Sequence, residues 1–169
     1  SGGLTPVLMA GSNGQLEMLK LIIAAGGDTS ACIDGGWTLL HQTASRGYES
    51  QCSFLIDIYR SLPSGGDMLE RRTKTGFTGS MLAALNGHFA VVALLLDAGT
   101  SSQCVDNKRR TLLHMAAANG HDIMNSGILS QKIDELNPLL NSRSSEGDTA
   151  LHLALAGNFE SVAKSFACN

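Results

Sequence analysis

Short apolar segments recur along the chain, each opened by a threonine and closed by glycine or asparagine. Thr5-Pro6-Val7-Leu8, Thr38-Leu39-Leu40-His41, Thr111-Leu112-Leu113-His114 and Thr149-Ala150-Leu151-His152 share one pattern, and Thr78-Gly79-Ser80-Met81 is a weaker copy. The threonines stand 33, 40, 33 and 38 residues apart, which gives a base period of 33 with insertions of 7 and 5 residues. A threonine before an apolar run predicts a helix N-cap, its hydroxyl accepting from a backbone N–H of the first turn. Pro6 falls at the first helical position, where its missing N–H costs nothing. The helix that follows, as at Leu112, Leu113, Ala116 and Ala117, has a small apolar face and ends at Asn119-Gly120. A second helix comes next, clearest over Phe89-Ala90-Val91-Val92-Ala93-Leu94-Leu95-Leu96.

The turn residues keep the same register. Nine residues after each threonine stand Gly14, Gly47, Gly87, Gly120 and Asn158. Twelve before each later one stand Gly26, Gly66, Gly99 and Asn137, and two before each stand Gly3, Gly36, Gly76, Arg109 and Gly147. Glycine and asparagine most readily adopt a left-handed backbone, so these positions read as turns. Arg109 breaks the rule: a left-handed backbone there costs about 1 kcal/mol, so either its turn differs or its charge is worth the strain.

Helices of about eight residues do not persist alone in water. Each pair must cover the apolar face of the next, and the array folds as a cooperative stack. The period and the Thr-Pro-Leu-His-like signature resemble the ankyrin-repeat family. The resemblance covers residues 3–169 of the single domain 1–169, with repeats near 3–35, 36–75, 76–108, 109–146 and 147–169. It implies an all-α fold: an ankyrin-repeat solenoid of antiparallel helix pairs joined by hairpin-type loops, with a concave face. The insertions, within Asp57 to Gly65 and Ser126 to Leu136, are expected to lengthen the second helix or the loop after it. The first copy has almost nothing before it and the last stops inside its second helix, so a piece of a longer polypeptide is expected.

Composition narrows the function. The chain has 169 residues, net charge −3 and a pI near 5.9, which argues against general nucleic-acid binding. No stretch approaches the ~18 apolar residues of a membrane span, and Ser1-Gly2-Gly3 lacks the basic start and apolar run of a secretion signal. Cys32, Cys52, Cys104 and Cys168 have no Cys-x-x-Cys spacing and read as buried reduced thiols of a cytoplasmic or nuclear protein.

Three histidines, His41, His114 and His152, could suggest a metal or catalytic cluster. Each stands three residues after a capping threonine, where its side chain can bond back toward the cap. In the family this histidine ties neighbouring repeats together. Packed helices set successive histidines roughly 10 Å apart, against the 2.0–2.1 Å of a zinc ligand. No nucleophile with an oriented base is evident, and the glycines are repeat turns rather than a phosphate loop. No catalytic, cofactor or metal role is assigned.

What remains is a surface for another protein. The position before each threonine holds Leu4, Trp37, Phe77, Arg110 and Asp148, expected at hairpin tips, where Trp37 and Phe77 would present two large rings. Arg71, Arg72 and Lys74, with Lys108, Arg109 and Arg110, are half of the 12 basic residues and would merge on stacking into one patch for an acidic or phosphorylated segment. Ends of first helices supply concave-face candidates, among them Gln42, Ser45, Arg46, Leu82, Leu85, Asn86, Met115, Ala118 and Asn119, with Arg46, Leu85 and Asn86 foremost. The expected function is a protein-interaction module inside a larger protein, monomeric in isolation. A self-contained inhibitor or regulatory subunit of a kinase or transcription factor is the alternative, and an inert spacer the third.

Overall fold

The computed structural model describes residues 3–123 and 132–167. Antiparallel helix pairs stack side by side along the chain. The Thr-capped helices are α1 (Pro6–Ser12), α3 (Leu39–Ser45), α6 (Gly79–Leu85), α8 (Leu112–Ala118) and α10 (Ala150–Ala156), seven residues each. Their partners are α2 (Leu16–Ala24), α4 (Glu49–Arg60), α7 (Phe89–Asp97) and α11 (Glu160–Ala167). Further short helices are α5 (Gly65–Leu69) and α9 (Ile133–Leu136), the latter followed by a 3-10 turn over Asn137–Leu139. Strands β1 (Cys32–Ile33) and β2 (Trp37–Thr38) pair antiparallel, Cys32 opposite Thr38 and Ile33 opposite Trp37.

Each threonine is extended and caps its helix. The hydroxyls of Thr5, Thr38, Thr78 and Thr149 accept from the N–H three residues on. The first helices form the spine, α1 on α3, α3 on α6, α6 on α8 and α8 on α10. Their facing sides are buried: Leu8, Leu39, Ala83, Leu113, Ala116 and Ala150 are all fully enclosed. Truncating a leucine such as Leu113 would cost about 2–5 kcal/mol, because no single pair can close over the void. Leu19, Leu55, Leu95 and Val162 of the second helices complete the same continuous core.

The turns follow the expected register in two of three sets. Gly14, Gly47, Gly87, Gly120 and Asn158 are all left-handed, and so are Gly3, Gly36, Gly76, Arg109 and Gly147. Arg109 makes the same turn as its glycine counterparts: its N–H donates to Asp106 O at 2.9 Å, as Gly76 N–H does to Thr73 O. The third set divides. Gly26 and Gly99 are left-handed, but Gly66 lies inside α5 and Asn137 opens the 3-10 turn. The insertion explains Gly66. It lengthens α4 to 12 residues, against nine for α2 and α7, and folds its remainder into α5, which buries Leu69. Gly65 is required there, since a Cβ would lie 1.6 Å from Tyr59 O. Of the second insertion, residues 126–131 lie outside the described residues.

Among the thiols, Cys52 is buried, Cys104 half-buried and Cys32 exposed on the first hairpin, so burial was expected of more cysteines than show it. Cys168 lies outside the described residues. The exposed one falls on β1, whose side chains alternate between the stack and solvent. No helix among the described residues is long and apolar enough to cross a membrane.

Candidate partner-binding surface

Backbone and side-chain bonds first satisfy the stack itself. Each hairpin closes through one position, five residues before the threonine. Thr73 N–H donates to Phe77 O, Asp106 N–H to Arg110 O and Ser144 N–H to Asp148 O, at 2.8–3.0 Å. The side chains of Thr73, Asp106 and Ser144 accept the return N–H of Phe77, Arg110 and Asp148. Neighbouring hairpins are then tied tip to tip: Lys74 N–H to Gly35 O, Asn107 N–H to Thr75 O and Ser145 N–H to Lys108 O, at 2.7–3.1 Å. The tips are therefore residues such as Gly35, Lys74, Thr75, Asn107 and Lys108. Trp37 and Phe77 sit one step beyond, on the returning arm of each hairpin, because the left-handed residue before them already closes the turn.

Histidine links complete the lattice. The ring Nδ1 of His41 accepts from Thr38 N–H at 3.2 Å, which leaves the proton on Nε2 to donate to Phe77 O at 3.0 Å. His114 repeats this with Thr111 N–H at 3.1 Å and Asp148 O at 3.0 Å. Burial holds both imidazoles below their ordinary value, outweighing the carbonyls that favour a proton. His152 receives the cap bond from Thr149 N–H, and its side chain is exposed. The three rings thus act separately, each at its own cap. Cys52, sealed against Thr43 Oγ1, has its thiol pushed up to about 11 by burial, and no thiolate is available there. Among the described residues no three His, Cys, Asp or Glu side chains converge as metal ligands.

The six hairpin cations differ in how much charge they present. Arg110 binds Asp106 through Nε at 2.9 Å and its terminal nitrogen at 2.7 Å, and lies 5.9 Å from the Phe77 ring centre. Lys108 pairs with Glu146 at 3.5 Å. Arg71 donates to Ser30 O at 2.9 Å, and Arg72 to Val105 O at 3.0 Å. The side chains of Lys74 and Arg109 are exposed, and neither forms an ion pair among the described residues. The residue five before the threonine carried the missed signal: Asp106 at that place meant a neutralised Arg110.

Along the concave side, first-helix ends reach back one unit. Asn119 Nδ2 donates to Leu85 O at 2.6 Å, and a guanidinium nitrogen of Arg46 donates to Ser12 O. Asn86 instead bonds Leu82 O in its own helix at 2.9 Å. Gln42, Leu82 and Met115 are buried, Ser45 and Leu85 half-buried, and Arg46, Asn86, Ala118 and Asn119 exposed. Trp37 and Phe77 are half-buried, with Trp37 tilted against the His41 ring at 6.3 Å. One cleft of about 410 Å³ gathers Trp37, Arg46, Gln42 and Ser45 with Leu4, Ser12 and Ile33. Ile33 was not singled out in the sequence, although it occupies the same hairpin-closing place as Asp106.

Known proteins share this chain's pattern. It is 31% identical over 121 residues to the ankyrin repeat and KH domain-containing protein mask-1 of Caenorhabditis elegans, covering 70% of this chain and 4% of that protein. It is 44% identical over 57 residues to mouse protein phosphatase 1 regulatory subunit 12A, covering 34% of this chain and 5% of that protein. It is 28% identical over 164 residues to a C. elegans homolog of transient receptor potential cation channel subfamily A member 1, covering 96% of this chain and 12% of that protein. The chain thus spans a small fraction of each relative. The family model for ankyrin repeats (3 copies) matches residues 7–102, 56–137 and 80–168, and with the Thr-capped stack and its histidine links this shows that the chain belongs to the ankyrin-repeat family.

Proposed function

We propose that the chain is a protein-interaction module of a larger protein, gripping its partner through the hairpins and the concave face. The observation that carries this is the cleft bordered by Trp37 and Arg46. Trp37 is half-buried and Arg46 is exposed, with one guanidinium nitrogen on Ser12 O and further N–H donors left to serve a partner. Arg71, Arg72, Lys74, Phe77, Lys108, Arg109 and Arg110 extend the contact along the hairpins, and Leu85 and Asn86 along the helix ends. The partner is another protein with an acidic or phosphorylated segment, and the module works as a monomer. The reading sets it in the cytoplasm or nucleus, where the exposed Cys32 thiol stays reduced.

A second reading, a regulatory subunit that holds a signalling enzyme, draws on the similarity to a protein named as a phosphatase regulatory subunit. Affinity capture from lysate with the whole chain and with Trp37→Ala and Arg46→Gln variants tests the first. Proteins held by the parent and lost with either variant support it, and their identity separates the two readings. Equal recovery with all three chains would overturn it.

A further inference from the structure

We infer that the Trp37 cleft is a recognition pocket for an extended peptide carrying a glutamate or aspartate beside an aliphatic residue. This rests on the proposed interaction function and names the chemistry of one part of it.

Three features of the cleft select such a ligand. Arg46 is exposed and donates to the neutral carbonyl of Ser12, and it pairs with no acid among the described residues. Its positive charge is therefore uncompensated, and most of its five N–H donors are free. Gln42 lines the same cleft at 7% exposure, and its Oε1 has no hydrogen-bond partner among the described residues. A buried amide oxygen left unbonded keeps its desolvation penalty, which a peptide N–H would relieve once the Gln42 amide turns toward the cleft. Rotation about the last side-chain bond exchanges oxygen and nitrogen, so Gln42 can offer a main chain either an acceptor or a donor. Leu4, Ile33 and the Trp37 ring form an apolar part of the wall beside Ser12 and Ser45, with Leu4 56% exposed.

Charge decides between a carboxylate and a phosphate. A carboxylate is a single negative charge that one guanidinium binds through two parallel bonds. A phosphorylated side chain carries about −1.5 to −2 and draws on several cations. The cleft contains one, Arg46. At about 410 Å³ it holds a few side chains rather than a domain surface.

The test uses a displayed library of random dodecapeptides selected on the whole chain. Synthetic peptides follow, with glutamate, glutamine or phosphoserine at the central position. Trp37 is the only tryptophan, so intrinsic emission reports the cleft directly. Selected peptides should place an acid next to an aliphatic residue and shift Trp37 emission saturably. Affinity should fall at least about tenfold with glutamine in the peptide or with Arg46→Gln, and partly return with Arg46→Lys. The phosphoserine peptide should bind no better than the glutamate one. Far-UV circular dichroism confirms that each variant folds, and Gln42→Met, which keeps size without the amide, tests the second contact by a similar loss. Selected peptides lacking an acid, or leaving Trp37 emission and Arg46 variants unaffected, overturn the pocket while the interaction module stands. Preference for phosphoserine also overturns the carboxylate assignment. No enriched peptide at all counts against both.

Discussion

His41 Nε2 donates to the carbonyl oxygen of Phe77 at 3.0 Å, across 36 residues of sequence and from one helix pair to the next. The same ring accepts from its own cap at Nδ1, so a single neutral imidazole both starts a helix and joins two repeats. A second proton would sit on Nδ1 and oppose the Thr38 N–H.

That link makes stability depend on pH. His41 and His114 are held below the ordinary 6.5 of a free imidazole by burial, which outweighs the opposing hydrogen bonds to the Phe77 and Asp148 carbonyls. Below 6.5 the unfolded chain binds protons that the folded chain refuses. Stability from these two groups is therefore complete above 6.5 and lost as pH falls toward their folded values, at up to about 1.4 kcal/mol per pH unit for each. Urea melts of the parent between pH 5 and 7.5 should show this slope, and a His41→Gln, His114→Gln double variant should flatten it. Parallel slopes in the two proteins would disprove the linkage.

Arg109 carries a backbone φ of 59° in a turn where its counterparts are glycine. Arg109→Gly should stabilise the fold by about 0.5 kcal/mol, the relieved strain less the entropy that glycine adds to the unfolded chain. Thermal melts would check it. Destabilisation would mean that the exposed arginine side chain contributes more than its backbone costs.

Asp106 gathers four bonds: from the N–H groups of Lys108 and Arg110 and from two nitrogens of the Arg110 side chain. Its side chain is 2% exposed. Asp106→Ala leaves those donors unpaired and should cost about 3 kcal/mol, with Asp106→Asn milder because it keeps an acceptor in the turn. A loss under about 1 kcal/mol in urea denaturation would show that water replaces the carboxylate readily.

Trp37 is a half-buried ring tilted against His41 and bordering the cleft. Trp37→Ala should weaken binding of a captured partner by at least about 2 kcal/mol and lower the melting temperature only slightly. Titration calorimetry with that partner measures the first, and unchanged affinity would remove Trp37 from the contact.

The repeat, its caps and most of its turns were legible because they are local. A threonine three residues before a histidine needs only its own helix, and left-handed glycines declare themselves by register. Gly66 and Asn137 misled for the opposite reason. The same residue types occur at the expected distance, but inserted chain shifted them into α5 and a 3-10 turn. The candidate surface was less legible. Arg110 reads as an exposed charge until Asp106 is seen folded beneath it, and Gln42 reads as an exposed concave residue until its burial is known.

By itself the sequence determined that this chain is a stack of capped helix pairs, since short helices in a fixed register have no other way to bury their apolar faces. Only the tertiary structure decided which charges are spent inside the stack and which remain exposed. Neutralisation depends on groups meeting across a turn or between repeats, as Lys108 meets Glu146. Those meetings depend on how the hairpins fold and how neighbours are set against each other, distances that a one-dimensional pattern does not carry.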